Sequence, residues 1–552
     1  MLPAHGFLRP CRNQAVARWF AAASVTLALA QAQPSSPDTI RFLEQATFGP
    51  NAALIAHVQA VGFEAFLSEQ FAAAASGYPD LPLQPAAVPS TCTGTCVRDN
   101  YTMYPLQVAF FKNALTAPDQ LRQRVAFALQ QILVVSGLTI THPSRMAPYL
   151  QVFEKDAFGN FRTLLGDITL NPAMGTYLNM AGNNKNAYNE NYGREILQLF
   201  TVGLNLLNQD GSLMTDSQGN PIPTYSNTNV DGFARVFTGW NLQAAKTSPA
   251  PCTSATPCAD YLDPMAVNPN NHDSGAKTLL NGVTLPEHTP VTAASATAEL
   301  NSALDNIFNH PNVGPFIVRN LIEHLVTSNP TPAYISRAAA VFNNDGSGTR
   351  GNLEAVVRAI LLDPEARTTS ASATYGHLQE PVLFIARFLR AFNTTSANTD
   401  FVLSDSYLPS NLQMSQDLFR APSVFNYYPP TYAIVPAAGI TINGPEFSIQ
   451  STATALARTN FVSEVTYRTM AASSPNRPTG TWLDLSEFAP LAANHAQLID
   501  ALNTRLLHGQ ASPALISLIT NALATMNGAS NLAVTQRAVY LFGSSPEYLV
   551  ER

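Results

Sequence analysis

The sequence predicts a mainly α-helical globular domain with long loops and one minor β-hairpin near residues 204–225. Apolar residues recur at three- and four-residue spacing in many segments, whereas strict alternation of apolar and polar residues is scarce. Hydrophobic residues make up 46% of the 552-residue chain and charged residues only 12%, so the chain can bury a large core. Stretches rich in Pro, Ser, Thr, Asn or Ala separate the helical segments.

The first segment, residues 1–32, has the pattern of a cleaved signal peptide. Arg9, Arg12 and Arg18 precede an uncharged apolar run that ends in small residues fitting an A-x-A cleavage site. A membrane anchor is the alternative, but the run is shorter than the ~20 residues needed to cross a bilayer. No later stretch is long and apolar enough either. We therefore expect a soluble periplasmic or extracellular protein with no stable membrane insertion.

Two close cysteine pairs follow the predicted signal. Cys92 and Cys96 lie in CTGTC. Cys252 and Cys258 lie in CTSATPC. An even number of cysteines in loops of an exported protein predicts two local disulfides, although pairing between the two loops stays open. A four-thiolate zinc site is the competing interpretation, but spacings of three and five intervening residues fit zinc knuckles poorly.

Helical periodicity runs through the rest of the chain. A long buried helix is predicted over 119–137, with Asp119 as its N-cap and Gly137 at its end. Further helices are predicted over 50–62, 104–116, 190–203, 228–240, 313–326, 332–342, 353–363, 380–392, 495–507 and 531–542. Within 204–225, the dipeptides Asp210-Gly211 and Gly219-Asn220 favour hairpin turns between short runs.

Long loops are predicted at 77–100, 244–290 and 368–374. The second is unusually long for a connection within a compact domain, and loops of that length tend to be functional or disordered. It also carries one of the cysteine pairs. We therefore expect this loop to contribute to any functional site.

Charge and missing motifs exclude several classes of function. The formal net charge is −7, which is not that of a nucleic-acid-binding protein. The sequence contains no Gly-x-Ser-x-Gly elbow, P-loop, dinucleotide fingerprint or H-E-x-x-H motif. Their absence argues against the commonest hydrolases, NTPases, dehydrogenases and zinc proteases.

Ordered segments from Ile40 to Arg552 resemble one known family. They are RFLEQATFGP, AFGNFRTLLGDITLNPAMGTYLNM, NENYGREILQLFTVGL, DGFARVFTGW, HDSGAKTLL, HPNVGPFIVRNLIEHLVTSNPTPAYISRAAAVF, AVVRAILLDPEAR, EPVLFIARFLRAF, APSVFNYYPP and SSPEYLVER. Together they resemble domain of unknown function 1800 (DUF1800), which implies an exported, largely helical protein with no established activity. We predict one such domain over 38–552, built as one lobe or as two coalesced lobes.

The resemblance also suggests a partner. Members of this family are often encoded beside a protein resembling domain of unknown function 1501 (DUF1501), which is itself similar to sulfatases and alkaline phosphatases. A DUF1501-like protein is therefore a candidate partner of this chain.

The segment NENYGREILQLFTVG carries the first candidate catalytic groups. Glu190 and Arg194 are four residues apart, and Glu195 directly follows Arg194, so two carboxylates and a guanidinium lie within about two helical turns. Such a set can do acid–base work or bind an anion. Alternatively, Arg194 pairs with one of the glutamates in a structural network that orients the helix.

Two neighbouring segments add further candidate catalytic residues. Asp231 and Arg235 repeat the four-residue spacing on the next predicted helix. His272 and Asp273 lie on the long loop with Lys277 close behind, and a metal bound there would need additional carboxylate ligands from elsewhere. The alternatives are salt bridges between the helices and turn-capping by His272 and Asp273.

The segment NNDGSGTRGNLE has the register of a calcium-binding loop. Asn343, Asp345, Ser347, Gly348 and Glu354 fall at EF-hand loop positions 1, 3, 5, 6 and 12 between two predicted helices. Only two of these ligands are acidic, so calcium would bind weakly. A helix–turn–helix connection with Asn352 as the N-cap of the second helix explains the same residues.

Two other segments have a structural interpretation beside a functional one. Glu323 and His324 lie on a predicted helix where Arg319 can pair with Glu323, so His324 is interpreted as a helix-surface histidine. Tyr427 and Tyr428 in VFNYYPP can form a stacking surface for sugar rings, although aromatic residues packed over proline turns are the commoner arrangement.

Two functional hypotheses follow. The preferred one is an envelope or extracellular binding or scaffold protein that works with a neighbouring sulfatase-like protein, because no recognised catalytic motif is present. The alternative is a hydrolase-like enzyme, in which the Arg194/Glu195, Asp231/Arg235 and His272/Asp273 segments converge in one cleft.

Overall fold

Helices dominate the computed structural model, as the apolar spacing of the sequence predicts. The structure describes residues 33–244, 252, 258–368, 374–396, 400–435, 439, 441–468, 470–471 and 480–551. The predicted signal peptide lies outside these residues, as do parts of the predicted loops at 244–290 and 368–374. The chain from Pro34 onward forms one compact unit.

The helices of the first half of the chain are α1 (Ser36–Ala46), α2 (Ala52–Val61), α3 (Phe63–Ala72), α4 (Thr95–Tyr101), α5 (Tyr104–Thr116), α6 (Gln120–Ile132), α7 (Pro143–Asp156), α8 (Phe161–Thr169), α9 (Pro172–Tyr177), α10 (Asn191–Gln198) and α11 (Asn227–Val236). Those of the second half are α12 (Ala293–Phe308), α13 (Val313–Leu325), α14 (Pro332–Asn343), α15 (Leu353–Leu362), α16 (Pro364–Arg367), α17 (Pro381–Ala391), α18 (Thr452–Tyr467), α19 (His495–Leu507), α20 (Pro513–Ala524) and α21 (Asn531–Gly543).

Short antiparallel strands connect some of these helices. They are β1 (Trp240–Asn241), β2 (Ala266–Val267), β3 (Lys277–Thr278), β4 (Thr284–Leu285), β5 (His377–Leu378), β6 (Thr395–Ser396), β7 (Ala433–Ile434), β8 (Ile442–Asn443), β9 (Met470–Ala471), β10 (Gly480–Trp482) and β11 (Val550–Glu551). The pairs are β1–β2, β3–β4, β5–β11 and β7–β8, and β10 lies between β6 and β9.

The predicted hairpin near residues 204–225 is present as two linked antiparallel turns. Backbone bridges join Asn205 to Pro223, Leu207 to Leu213 and Thr215 to Pro221. The Asp210-Gly211 and Gly219-Asn220 dipeptides occupy the two turns, and both glycines have positive φ angles of 76° and 85°. Glycine adopts this backbone region without the steric cost that other residues incur, which explains why these positions turn the chain.

One helix is shorter than the sequence predicts. Helix α6 ends at Ile132 rather than at Gly137. Gly137 instead donates a backbone hydrogen bond of 2.7 Å to the carbonyl of Phe419, so a tertiary contact fixes the buried segment after the helix. Asp119 lies at the predicted N-cap position, but its carboxylate accepts hydrogen bonds from Ser76 and Gln123 rather than from the first turn of the helix.

Several helices, among them α7 and α12, were not predicted from the sequence. Helix α7 contains Pro148 in its interior, which obscures its periodicity. Helix α12 is rich in Ala, Ser and Asn, and its start is fixed by a capping box between Thr292 and Ser295. Small residues can line a buried helix face, but they give a weak apolar pattern in the sequence.

Polar side chains enter the interior on helices that are buried on all sides. Every residue of α17 is buried, and so is nearly all of α6. Glutamate and glutamine side chains at the ends of these helices, such as Gln131 and Glu380, therefore lie inside the protein and must find partners there. Within the described residues, no helix combines the length and apolar character needed to span a membrane.

Candidate functional site

The second and third predicted segments meet in the structure. Arg235 on α11 places Nη2 2.7 Å from Oδ1 of Asp273, and its Nη1 lies 3.8 Å from Oδ2 of Asp231. Arg235 also donates to the carbonyl of Ala276 at 2.9 Å. Burial opposes ionisation of Asp273, but hydrogen bonds from Arg235 and Gly275 outweigh it and lower the pKa of Asp273.

Glu299 on α12 holds the long loop against this network. Its carboxylate lies 2.6 Å from Nζ of Lys277, 3.0 Å from Nε2 of His272 and 2.8 Å from Nε2 of His288. The side chains of Lys277, His272 and Glu299 are almost completely buried. His272 Nδ1 faces the carbonyl of Thr238 at 2.8 Å, so both ring nitrogens have oxygen partners.

Glu299 and His288 were not predicted as members of this cluster. The available signal was a carboxylate on the buried face of a helix, because Glu299 shares that face with Ala296, Leu300 and Ala303. Although burial raises the pKa of Glu299, hydrogen bonds from His272, Lys277 and His288 outweigh burial and lower it. The donors around Glu299 therefore favour its ionised form.

The first predicted segment packs on α11 through Gly193, but its charged groups do not join that cluster. Arg194 and Glu190 on and beside α10 form an exposed pair at 2.7 Å. Burial raises the pKa of Glu195, whose Oε2 has no hydrogen-bond partner in the described part of the chain. Among the described residues, no hydrogen bond or ion pair joins Arg194 or Glu195 to Arg235 or His272. The structure thus joins the charged groups of the second and third predicted segments, and those of the first segment pair separately.

Both cysteine pairs form the local disulfides that the sequence predicts. Cys92 is bonded to Cys96 at the start of α4, and Cys252 is bonded to Cys258 in the long loop.

The 343–354 segment is a tight connection between α14 and α15. Asp345 Oδ1 accepts hydrogen bonds from Ser347 and Thr349, and its Oδ2 accepts from Asn352 at 2.8 Å. Asn343 Oδ1 accepts from Arg350. Asn352 is the N-cap of α15, as predicted. Calcium binding by Asn343, Asp345, Ser347 and Glu354 would require these hydrogen bonds to open.

A separate cleft opens where α6, α13 and the 424–430 segment meet. It encloses only about 50 Å³ and is open to solvent. Its polar lining residues are Gln131, Asn320, Glu323, His324, Asn426, Tyr428 and Glu446. Its apolar lining residues are Ile132, Leu199, Val424, Phe425, Pro430 and Pro445. This combination of an apolar wall with a few convergent polar groups is typical of ligand-binding sites.

Glu323 on α13 is the first carboxyl group of the cleft. Its side chain is 10% exposed, and its Oε1 accepts hydrogen bonds from Arg319 at 2.9 Å and from Asn443 at 3.4 Å. Burial raises the pKa of Glu323 to about 7, although Arg319 opposes the shift. Glu446 adds to the shift through its negative charge. At neutral pH a large share of Glu323 therefore carries a proton.

Glu446 is the second carboxyl group, and it is 4% exposed. Its Oε1 lies 3.5 Å from Nδ1 of His377, whereas its Oε2 has no hydrogen-bond partner among the described residues. His377 Nε2 lies 3.4 Å from Oε2 of Glu551. Burial alone would lower the pKa of His377, but Glu551 and Glu446 raise it to about 10. His377 is therefore a buried cation at neutral pH.

Strand pairing places His377 between its two carboxylates. His377 on β5 stands opposite Glu551 on β11 in an antiparallel register. Glu446 reaches the other ring nitrogen from a short 3₁₀ helix, Pro445–Ile449, that follows β8. Three segments far apart in the chain thus build this row of charges.

Glu380 is a buried residue that is hydrogen-bonded to two residues of the cleft lining, Gln131 and Tyr428. Its Oε1 accepts from Gln131 at 3.0 Å, and its Oε2 accepts from Tyr428 at 3.0 Å and from Gln416. Burial raises the pKa of Glu380 despite these hydrogen bonds. Asn426, which adopts a φ of 63°, donates to Gln131 at 2.9 Å. This hydrogen-bond chain fixes the 424–430 segment against α6 and α17.

The aromatic segment contributes differently from the sequence expectation. The Tyr427 hydroxyl accepts from the backbone of Arg420 at 3.0 Å, and Tyr428 is 4% exposed, so neither tyrosine offers a free face. Phe425 is instead the exposed ring at the cleft, with 44% of its surface accessible. His324 was interpreted as a helix-surface histidine from the sequence, whereas it lines the cleft beside Glu323, which pairs with Arg319 as expected.

Comparison with known proteins gives one match. A family model described as a protein of unknown function (DUF1800) matches residues 41–550, which is nearly the whole chain. Neither the curated proteins nor the solved structures contain a match.

Proposed function

The chain belongs to the DUF1800 family of proteins of unknown function, and we propose that it is a hydrolase whose acid–base pair is Glu323 and Glu446. One observation carries this proposal. Glu323, a carboxyl group with a pKa near 7, lines the same cleft as Glu446, whose buried Oε2 has no hydrogen-bond partner among the described residues. Two carboxyl groups held in different environments are the means by which one site supplies both an acid and a base.

The proposed chemistry is hydrolysis of a carbon–oxygen bond. Glu323, in its protonated form, donates its proton to the leaving oxygen. Glu446 removes a proton from the attacking water, whose oxygen bonds to carbon as the old bond breaks. The products are an alcohol and a second hydroxyl-bearing fragment. Solvent then returns the proton from Glu446 to Glu323, and the site regains its starting state.

His377 is proposed as the positioning residue for Glu446. Its imidazolium lies between Glu446 and Glu551, and the second carboxylate keeps the ring protonated. A cation behind Glu446 fixes Oε1 and leaves Oε2 for water or substrate. Burial of this row keeps its geometry rigid before a substrate arrives.

The proposed site is not the one expected from the sequence. None of Arg194, Glu195, Asp231, Arg235, His272 and Asp273 lines the cleft. We propose that the network of Asp231, Arg235 and Asp273 anchors the long loop to α11, because its charged groups already pair with one another.

We further propose that the mature chain works in the periplasm or outside the cell. The pattern of residues 1–32 and the two local disulfides support export to an oxidising compartment. A binding or scaffold role beside a sulfatase-like DUF1501 partner stays a prediction of the family resemblance.

Aryl substrates test the proposed acid–base pair. The wild type, Glu323→Gln and Glu446→Gln are assayed on 4-nitrophenyl and 2,4-dinitrophenyl esters, phosphates and glycosides. We expect turnover of at least one non-phosphate class and a loss of about 100-fold or more in Glu446→Gln. Glu323→Gln should lose far more activity on 4-nitrophenyl than on 2,4-dinitrophenyl substrates, because the better leaving group needs no proton.

Glu190→Gln serves as the control, since Glu190 is exposed and does not line the cleft. Its activity should equal that of the wild type. A wild type that turns over no substrate in the panel overturns the proposal, and so does full activity in Glu446→Gln.

A further inference from the structure

We propose that the cleft binds a neutral carbohydrate, with Phe425 as the platform for a sugar ring and Glu446 as the acceptor for its hydroxyl groups. This inference concerns the same cleft as the proposed function, but it does not depend on hydrolysis. Its first support is Glu446, a carboxylate 4% exposed whose Oε2 lacks any donor within the described residues. Because an unpaired buried acceptor is costly, a ligand that supplies hydroxyl donors is favoured.

The charge of the lining disfavours anionic ligands. Among the described residues, the lining includes two glutamates but no lysine or arginine. Burial lowers the pKa of His324 to about 3, so this histidine adds no positive charge. A phosphate, sulfate or carboxylate group would therefore meet carboxylates without a facing cation. Ligands of the kind that sulfatases or phosphatases take do not fit this cleft.

The surrounding charges also disfavour a strongly cationic ligand. Glu446 and Glu551 flank the His377 cation, and the charge of Arg458 also acts on Glu446. Arg124 acts in the same way on Glu551. Buried cations thus offset the buried carboxylates, and the cleft offers hydrogen-bond acceptors rather than a large negative field. A neutral polyhydroxylated ligand matches this balance better than a lysine-rich peptide.

The exposed aromatic ring of Phe425 also favours a carbohydrate ligand. Phe425 is 44% exposed on the wall of the cleft, beside Pro430. Exposed aromatic rings next to convergent polar groups mark ligand contacts, because the ring gains by covering its apolar face. A sugar ring presents C–H groups on its faces and hydroxyls on its edge. Its face can cover Phe425, and its hydroxyl groups are the hydrogen-bond donors that Glu446 lacks among the described residues.

Binding of defined oligosaccharides to the full mature chain tests this proposal without relying on turnover. Cellohexaose, maltohexaose, xylohexaose and chitohexaose are the neutral probes. Polygalacturonate and heparin are the anionic probes, and poly-L-lysine is the cationic peptide. We expect at least one neutral probe to bind in isothermal titration calorimetry, and Phe425→Ala to weaken it at least tenfold.

Tyr467→Ala is the matched control, because Tyr467 is a similarly exposed aromatic residue, 40% accessible, that does not line the cleft. Its affinity should equal that of the wild type. Failure of all four neutral probes overturns the proposal, as does unchanged affinity in Phe425→Ala. Preferential binding of poly-L-lysine or heparin overturns it too.

The two proposals fail separately. Binding of a neutral probe together with no turnover of any aryl substrate leaves the ligand class intact and removes the hydrolase. Hydrolysis of an aryl ester without carbohydrate binding removes the ligand class and leaves the acid–base pair.

Discussion

Nζ of Lys277 lies 2.6 Å from Oε1 of Glu299, and both side chains are closed to solvent. The contact joins the long loop to α12, and it brings a cation that the sequence placed near His272 to a carboxylate that the sequence did not single out. Two charges removed from water must satisfy each other, because each alone would have a large desolvation cost. This cluster therefore holds the loop in one position.

Glu299→Gln should be strongly destabilising. The substitution keeps the shape of the side chain but removes the charge that faces Lys277 and His272. Breaking a buried pair by changing one partner costs about 3–5 kcal/mol. Urea unfolding at pH 7 measures the change in free energy of unfolding.

The control for that substitution is Glu190→Gln, which breaks an exposed pair with Arg194. Exposed pairs contribute about 0–1 kcal/mol. Equal losses in the two variants would contradict the role assigned to the buried cluster.

The raised pKa of Glu323 predicts a defined pH dependence of stability. The folded protein holds this proton up to about pH 7, whereas the unfolded chain releases it near pH 4.5, the ordinary pKa of a glutamate side chain. The folded state thus binds more protons between these values, so stability falls as pH rises from about 4.5 to 7. A shift of this size corresponds to about 3 kcal/mol.

Glu323→Gln removes this titration. The variant should therefore lose less stability than the wild type across that pH range, as measured by urea unfolding at half-unit pH steps. Glu354→Gln, at an exposed carboxylate, should follow the wild-type profile. Parallel curves for the wild type and Glu323→Gln would show that the cleft does not hold the proton.

Gly232→Ala tests the close approach of α11 to β3. A Cβ at position 232 would lie 2.1 Å from the carbonyl oxygen of Thr278, which is backbone and cannot move without shifting the strand that carries Lys277. We expect a loss of about 3 kcal/mol or more, or a failure to fold. Thermal unfolding and the yield of folded protein measure it.

Gly166→Ala is the matched helical control. Its Cβ would meet only the tip of the Arg162 side chain at 3.3 Å. Alanine also has the better helix propensity, so stability should stay within about 1 kcal/mol of the wild type. A large loss in Gly166→Ala together with a small loss in Gly232→Ala would contradict the packing of α11 on β3.

Calcium should leave the melting temperature unchanged. Asn343 Oδ1 accepts a hydrogen bond from the Arg350 guanidinium, and Asp345 is occupied by hydrogen-bond donors of its own loop. A divalent cation would have to displace a positive group. A rise in melting temperature with calcium in the wild type, lost in Glu354→Gln, would instead establish the site expected from the EF-hand register.

Local features were predictable because their causes are local. The spacing of apolar residues predicted helices such as α13, α15 and α17, and glycine-containing dipeptides predicted the turns of the hairpin near residues 204–225. The end of α6 was not predictable, because the segment after Ile132 is held by a contact with Phe419.

The residues of the candidate sites also divide into those that the local sequence suggests and those that only tertiary contacts reveal. The meeting of Arg235 with Asp273 could be suggested from sequence, since both belong to one central stretch of chain. The hub of that cluster, Glu299, could not, because its neighbours in sequence are small apolar and polar helix residues. Glu323 and His324 could be recognised in the sequence as titratable residues. Their position in a cleft could not, because the 424–430 segment that lines the same cleft is distant in the chain.

The sequence by itself determined the helical class and the family and favoured two local disulfides, because each depends on short patterns or on their order along the chain. Only the tertiary structure decided that His377 lies between Glu446 and Glu551, and that Glu446 is one of the residues lining the cleft. These residues come from separate elements, and nothing in their local sequence encodes a shared location. Folding brings them together because strand pairing and core packing act between distant segments. Burial then strengthens the interactions between their charges.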